Sequence, residues 1–295
     1  MALLTVGRPW VQAARPATLW AALAPVLVAA GLASGDGVFR WDAFLGAAIG
    51  STAIQIATNF ANDASDAKRG VDTADRIGPT RMVATGVITE RQMWTATFLT
   101  FGVAALAGVW LVAIAGWVIV IVGVASIVAG LGYVGGPRPY GYRGLGELFV
   151  FIFFGIVATV VSRFVHDQTI PLDAWLLAIP MGFLVTAILV ANNIRDIETD
   201  QATGKSTLAV ILGRPRTRRL YATLVYGAFA AIAVFGTFRL TPLATLIAVF
   251  WFPWAVPLVR TVNNETAGPL LISVLKGTAR LQLLVAFSLA LGASA

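Results

Sequence analysis

Long apolar runs separated by shorter polar segments form the main pattern of this 295-residue chain. A helix needs roughly 20 apolar residues to cross a bilayer, whereas the strands of a membrane barrel alternate apolar and polar positions. Because the runs are continuous, the pattern predicts an all-α, polytopic membrane protein of about nine spans in one domain, residues 1–295. The predicted spans are residues 17–34, 42–61, 92–113, 116–134, 147–164, 172–191, 220–237, 241–259 and 270–292.

The connections between the runs differ in character. Residues 62–91 and 192–219 are predicted to be long polar loops, and residues 135–147 are too rich in glycine and proline for a regular helix. The single histidine, His166, is assigned to a short loop on the outer side. Two prolines are predicted to kink the eighth span, Pro253 and Pro257.

Composition and charge support the membrane assignment and orient it. The chain is 58% hydrophobic and only 12% charged, about half the charged share of a soluble domain. In the nine-span register, all of the 21 lysines and arginines except Arg40, Arg163 and Arg239 fall on one side, which the positive-inside rule makes cytoplasmic. We therefore expect the N-terminus inside and the C-terminus outside. The net charge of +7 suits anionic membrane lipid, and no spacing indicates a nucleic-acid partner. The absence of cysteine excludes disulfides and thiolate metal sites.

Two acidic patches follow apolar runs, the first after the second span and the other after the sixth. Within each, asparagines and aspartates recur at intervals of three or four residues, which places them on one face of a continuing helix. A stripe of carboxylates at the mouth of a membrane helix is costly unless a cation occupies it. The stripes are Asn59, Asn62, Asp63 and Asp66 in the first patch, and Asn192, Asp196 and Asp200 in the second.

Two facing carboxylate patches suit a metal–diphosphate group. Mg²⁺ prefers oxygen ligands and commonly binds one or two carboxylates together with substrate phosphates. Nearby cations would neutralise phosphate oxygens as a diphosphate leaves, and the apolar bundle would hold an isoprenoid tail whose carbocation aromatic rings can shield. The candidate cations are Lys68, Arg69, Arg195 and Lys205, and the candidate amides are Asn59, Asn62, Asn192 and Asn193.

Other interpretations fit less of the pattern. A single acidic cluster is equally well explained as solvated surface, but two matched clusters on one face favour a site. GKST at 204–207 is not a phosphate loop, because position 199 is threonine where that motif needs glycine. A transporter would place its intramembrane charges near the middle of the bilayer, whereas these lie at one interface.

Three motifs make the chain resemble the UbiA superfamily of intramembrane prenyltransferases over nearly its whole length. The first is N-x-x-N-D-x-x-D followed by G-x-D-x-x-D-R-I-G-P-x-R at 59–81. The others are R-P-Y-G-Y-x-G-L-G-E at 138–147 and N-N-x-R-D-I-x-x-D-x-x-x-G-K-x-T-L-x-V-x-L-G at 192–213. General members have a third aspartate where this chain has Gly70, and here Asp72 and Asp75 follow instead. This variant resembles the branch that prenylates 1,4-dihydroxy-2-naphthoate.

The resemblance implies helices around a central cavity in which the aspartate motifs bind Mg²⁺ and a polyprenyl diphosphate. It further implies ionisation to an allylic carbocation, attack by the naphthoate ring at its carboxylate-bearing carbon, and loss of CO₂. The product would be demethylmenaquinone in the cell membrane of a prokaryote; 4-hydroxybenzoate is the alternative acceptor.

Site roles follow from motif position. The implied metal residues are Asp63, Asp66, Asp72, Asp75, Asp196 and Asp200. The implied diphosphate residues are Lys68, Arg69, Arg81, Arg138, Arg195 and Lys205. The resemblance also suggests that Arg138 or Arg143 holds the naphthoate carboxylate, and that Tyr140 shields the cation or orients the ring.

Overall fold

The chain forms a bundle of membrane-length helices in the computed structural model, which describes residues 2–70, 81–136, 138–266 and 268–295. Within those ranges, eight helices are long and apolar enough to span a membrane, and the shorter apolar helix α5 adds a ninth candidate. This confirms the predicted all-α membrane fold. The helices are α1 (Ala2–Ala14), α2 (Pro16–Gly35), α3 (Trp41–Lys68), α4 (Glu90–Ala115), α5 (Val118–Val134), α6 (Gly146–Asp167), α7 (Leu172–Arg195), α8 (Ile197–Ala202), α9 (Leu208–Thr237), α10 (Leu243–Asn264) and α11 (Gly268–Ala293).

Small residues let the spans approach closely. A Cβ added at Gly31 of α2 would lie 2.3 Å from the carbonyl oxygen of Ala290 on α11, and one at Gly155 of α6 would lie 2.3 Å from the Cα of Gly182 on α7. Close backbone approach at small residues is how membrane helices gain packing energy when lipid removes the hydrophobic drive between them. These contacts hold together the walls around the central cavity.

Residues 192–219 differ from the predicted polar loop, because most of them are helical. Helix α7 continues to Arg195, α8 follows, and α9 begins at Leu208 with Thr207 as its N-cap. Gly213, at φ 71° and ψ 161°, interrupts α9, and only glycine adopts positive φ without steric cost. The sequence reasoning took a polar surface for a loop, although polar residues also suit the exposed faces of helices.

His166 also differs from its prediction. It lies in the last turn of α6 and is buried, not in a loop. Its Nδ1 accepts a hydrogen bond from the backbone N–H of Arg40 at 3.0 Å, and its ring stacks on Phe39. In the eighth predicted span, α10 changes from 3₁₀ to α geometry at Phe252, next to Pro253. The kink predicted at Pro253 and Pro257 stays a prediction.

Candidate active site

A cavity of about 310 Å³ lies between α2, α3, α4, α5, α6 and α7. Residues near the C-terminal ends of α3 and α7 make part of its lining polar, while α4, α5 and α6 contribute mainly apolar side chains. Both predicted patches therefore reach the same cavity. The predicted site residues that line it are Asn59, Asn62, Asp66, Arg81, Tyr140, Asn192, Asn193, Asp196 and Lys205.

Asp66 is the carboxylate of the first patch that faces the cavity. Helix α3 continues past Asp66 to Lys68, as the spacing predicted, and the Asp66 side chain is buried. The Arg81 guanidinium donates to Oδ2 at 2.8 Å, and the Tyr142 hydroxyl donates to Oδ1. Asp66 is thus held at the cavity by a cation and a phenol.

Tyr142 joins the two patches, and sequence reasoning did not assign it a role. Its hydroxyl contacts Asp66, while Arg69 from the first patch and Lys205 from the second lie over its ring, 5.6 Å and 4.8 Å from the centroid. Cations are attracted to the face of an aromatic ring. The motif at 138–147 contains Tyr142, but nothing in the sequence separates its role from that of Tyr140.

Asp63 has different surroundings from Asp66, although both belong to the same predicted stripe. Its two carboxylate oxygens accept hydrogen bonds from the backbone N–H groups of Met82 and Val83, each at 3.0 Å, and only 1% of the residue is exposed. The structure therefore places Asp63 against the segment that leads into α4 and not in the cavity lining.

In the second patch, each carboxylate has a cation from the same motif. Arg195 donates to both oxygens of Asp196 and to the side-chain oxygen of Asn192. Asp200 accepts from Thr207, and one of its oxygens lies 3.8 Å from the Lys205 ammonium. The predicted stripe is interrupted, because α7 ends at Arg195 and Asp196 has non-helical backbone angles. Asp196 nevertheless lines the cavity.

The two asparagine side chains of the first patch have different surroundings. The Asn59 amide donates to the carbonyl oxygen of Ala14 and to the Thr18 hydroxyl, at 2.9 and 3.2 Å. It thereby fixes the junction of α1 and α2 against α3. By contrast, the side-chain oxygen of Asn62 is buried at the cavity without a hydrogen-bond partner in the described part of the chain.

The remaining predicted residues lie away from the cavity lining or outside the described ranges. Lys68 is 71% exposed and lies 3.6 Å from Glu90 at the start of α4. Asp72 and Asp75 lie outside the described residues, and their predicted roles stay predictions. The exposed predicted cations are Lys68, Arg69, Arg138 and Arg143.

The donors present at the cavity fit Mg²⁺. Within the described ranges no three His, Cys, Asp or Glu side chains form a cluster, so an all-protein cage is absent there. The oxygen donors that line the cavity include the carboxylates of Asp66 and Asp196 and the unpartnered oxygen of Asn62. Mg²⁺ typically takes one or two carboxylates and completes its shell with phosphate oxygens and water, which is what this set allows.

A row of aromatic rings leads from the polar part of the cavity into the apolar part. Tyr140 stacks on Phe149 at a centroid distance of 4.0 Å, and Phe149 stacks on Phe153 at 6.0 Å; all three line the cavity. The Tyr140 hydroxyl donates to the carbonyl oxygen of Ala129 at 2.7 Å. Burial raises the pKa of Tyr140 above its ordinary value. The three rings form an aromatic part of the cavity wall.

The chain is similar to proteins of known family. A family description, the UbiA prenyltransferase family, matches residues 22–275. The 1,4-dihydroxy-2-naphthoate octaprenyltransferase of Mycobacterium tuberculosis is 38% identical over 282 residues, 95% of either chain, and the enzyme of the same name from Escherichia coli is 38% identical over 87% of this chain and 85% of its own. A UbiA homolog from Archaeoglobus fulgidus, solved with DMAPP and Mg²⁺, superposes with a TM-score of 0.68 at 13% identity, covering 95% of this chain and 98% of its own.

Proposed function

The chain belongs to the UbiA prenyltransferase family, and we propose that it transfers a polyprenyl group from polyprenyl diphosphate to 1,4-dihydroxy-2-naphthoate. The main observation in support is that Asp66 and Asp196, carboxylates of two motifs far apart in sequence, line one cavity whose other walls are mainly apolar and aromatic. The activity named for relatives 38% identical over most of their length supports this substrate pair.

Asp66 and Asp196, with the side-chain oxygen of Asn62, would hold Mg²⁺ together with the diphosphate. Mg²⁺ supplies charge neutralisation to the leaving diphosphate oxygens. Arg81 and Lys205 line the same cavity and would donate hydrogen bonds to phosphate oxygens. These hydrogen bonds strengthen as negative charge develops on the oxygens. For Asp63 we propose a structural role, because it lies outside the cavity lining and its two oxygens accept from backbone N–H groups.

The reaction proceeds by ionisation of the allylic diphosphate, attack by the naphthoate ring and decarboxylation. The C–O bond of the allylic diphosphate breaks with both electrons going to the diphosphate, which then takes a proton from water. The naphthoate ring attacks the allylic cation at the carbon that bears its carboxylate, and the carboxylate leaves as CO₂, so that its bonding electrons restore the ring. The product is demethylmenaquinone in its quinol form. Tyr140, Phe149 and Phe153 shield the cation from water with their ring faces.

This is an integral membrane protein, and we place its site on the cytoplasmic side. The Lys and Arg residues around both patches support this orientation through the positive-inside rule. Membrane lipid surrounds the apolar surfaces of α4 and α5, where Leu106 and Ile121 are exposed. The polyprenyl tail and the bilayer are both apolar, so the tail can lie in the cavity or extend into lipid without an energetic penalty.

Carboxyl-labelled 1,4-dihydroxy-2-naphthoate tests the proposal directly. Purified protein with Mg²⁺ and a long-chain polyprenyl diphosphate should release labelled CO₂ and form the prenylated naphthoquinol, and EDTA should stop both. Offered separately, 4-hydroxybenzoate should stay unprenylated. Prenylation of 4-hydroxybenzoate alone would replace the acceptor, and no transfer to either acceptor from folded protein would reject the function.

The two cavity carboxylates give the matching mutational test. Asp66→Ala and Asp196→Ala should each lower turnover by more than about a hundredfold, the upper end of what even an indirect metal contact costs, while the protein remains extractable and folded. Asp42→Ala, at the opposite end of α3 and exposed, is the control and should retain activity. Near-normal turnover of either cavity variant would contradict the metal assignment.

A further inference from the structure

Glu147 is a buried carboxylate at the start of α6 that the proposed mechanism does not use. Only 5% of it is exposed, and Oε1 accepts a hydrogen bond from the Asn193 side-chain amide at 2.9 Å. Oε2 is buried and has no hydrogen-bond partner in the described part of the chain. Glu147 does not line the cavity, but Asn193 does, so Glu147 lies directly behind a cavity residue.

Stability does not explain a carboxyl group in this position. A buried carboxyl oxygen without a partner is unfavourable, because that oxygen has lost its hydrogen bonds to water and has formed none in the protein. An apolar side chain of the same length would remove that cost, and replacing buried polar groups in this way is often neutral or stabilising. The hydrogen bond to Asn193 is the feature that such a replacement would lose.

That hydrogen bond decides which end of the amide faces the cavity. An asparagine side chain offers either an N–H donor or an oxygen acceptor, depending on how it is turned. Glu147 takes the amide nitrogen of Asn193, which leaves Oδ1 for the cavity. The neighbouring Asn192 is oriented by a different residue, because its side-chain oxygen accepts from Arg195 and not from Glu147.

We infer that Glu147 is a positioning residue that turns the Asn193 oxygen towards the cavity as a ligand for the metal–diphosphate group. The inference rests on the proposed function. It adds Asn193 as an oxygen donor from the second patch, in addition to the Asn62 oxygen of the first, and assigns its orientation to a residue outside the aspartate motifs. Mg²⁺ and Mn²⁺ both prefer oxygen ligands, so an amide turned the other way would present the wrong atom.

Binding of Mn²⁺ in the presence of inorganic pyrophosphate, followed by electron paramagnetic resonance on detergent-purified protein, tests this without turnover. Glu147→Met should weaken Mn²⁺ binding about ten- to a hundredfold, the usual effect of removing an outer partner of a ligand, yet unfold at the same temperature as wild type or higher. Glu147→Gln keeps an acceptor oxygen for Asn193 and should bind Mn²⁺ almost as wild type does. Thr159→Val, a buried change in the same helix away from the cavity lining, is the matched control and should leave binding unchanged.

A double substitution tests whether Glu147 acts through Asn193. Asn193→Ala should weaken binding to a similar degree, and adding Glu147→Met to it should change the affinity by less than about twofold, since the interaction is already gone. The inference would be overturned if the losses of Mn²⁺ affinity in the two single variants multiplied in the double variant. A folded Glu147→Met protein with wild-type Mn²⁺ affinity would overturn it as well. If wild type transfers the prenyl group while Glu147→Met binds Mn²⁺ normally, only the positioning role fails; if wild type neither transfers nor binds, the proposed function fails with it.

Discussion

Asp63→Asn is the substitution that best separates folding from metal binding in the first acidic patch. Asp63 and Asp66 are three residues apart on one helix, and the sequence pattern assigns both to the metal. In the structure, Asp63 accepts two backbone hydrogen bonds at 3.0 Å from Met82 and Val83, whereas Asp66 lines the cavity. We therefore expect Asp63→Asn to cost stability and Asp66→Asn to cost metal affinity.

The size of the stability loss follows from those two bonds. Asparagine keeps one acceptor oxygen, but its NH₂ group then faces the second backbone N–H, so one charge-assisted bond is lost and a buried donor is left unpaired. Such a change costs about 2–4 kcal/mol. At roughly 2 °C per kcal/mol for a chain of this size, the unfolding temperature should fall by about 4–8 °C.

Thermal unfolding in one detergent, monitored by tryptophan fluorescence, measures this shift. Asp42→Asn is the control at the other end of α3, because Asp42 is exposed and its ion pair with Arg40 is screened by solvent and should contribute little to stability. Mn²⁺ affinity, measured below the transition on each folded variant, completes the comparison. An Asp63→Asn protein with wild-type stability and no Mn²⁺ binding would refute the structural role and restore Asp63 to the metal.

Two further substitutions test the contacts between the patches. Tyr142→Phe removes the hydroxyl that holds Asp66 but keeps the ring, so Mn²⁺ affinity should fall about tenfold or more with little loss of fold; unchanged affinity would make Tyr142 a spacer only. Lys205→Gln should raise the KM for polyprenyl diphosphate at least tenfold, as expected for a lost charge-assisted contact. Lys68→Gln, a change of an exposed residue, should leave the KM unchanged. Equal effects of the two substitutions would contradict the proposal that Lys205 binds the diphosphate and Lys68 does not.

The sequence predicted the spans well because a continuous apolar run has few other interpretations in a chain this poor in charge. It missed elements whose polarity is mixed. Helix α1 packs Trp10 and Ala13 beside Phe60, and the first turns of α9 carry arginines; neither is apolar enough to look like a span. Residues of both patches line one cavity, although the helical stripe expected for the second patch is interrupted at Asp196.

The finer assignments within the site depend on tertiary contacts. Spacing places Asp63 and Asp66 on the same face, but a face is about 100° wide, and that is enough for one carboxylate to meet the cavity and the other a neighbouring backbone segment. The role of Tyr142 depends on a loop bringing it between two helices. Glu147 ends the motif at 138–147, but the sequence does not reveal its contact with Asn193, which is 46 residues away.

The pairing of carboxylates with cations also predicts how the site binds. Arg81 occupies Asp66 and Arg195 occupies Asp196, so a divalent ion arriving alone competes with a guanidinium at each carboxylate. Diphosphate oxygens would engage Arg81, which lines the cavity, and this frees Asp66 for the ion. Pyrophosphate should therefore tighten Mn²⁺ binding about 5- to 150-fold, the usual range of coupling between two ligands, and Mn²⁺ should tighten pyrophosphate binding by the same factor. Calorimetric titrations in both orders measure the two factors, and independent binding would show that these ion pairs persist when the site is filled.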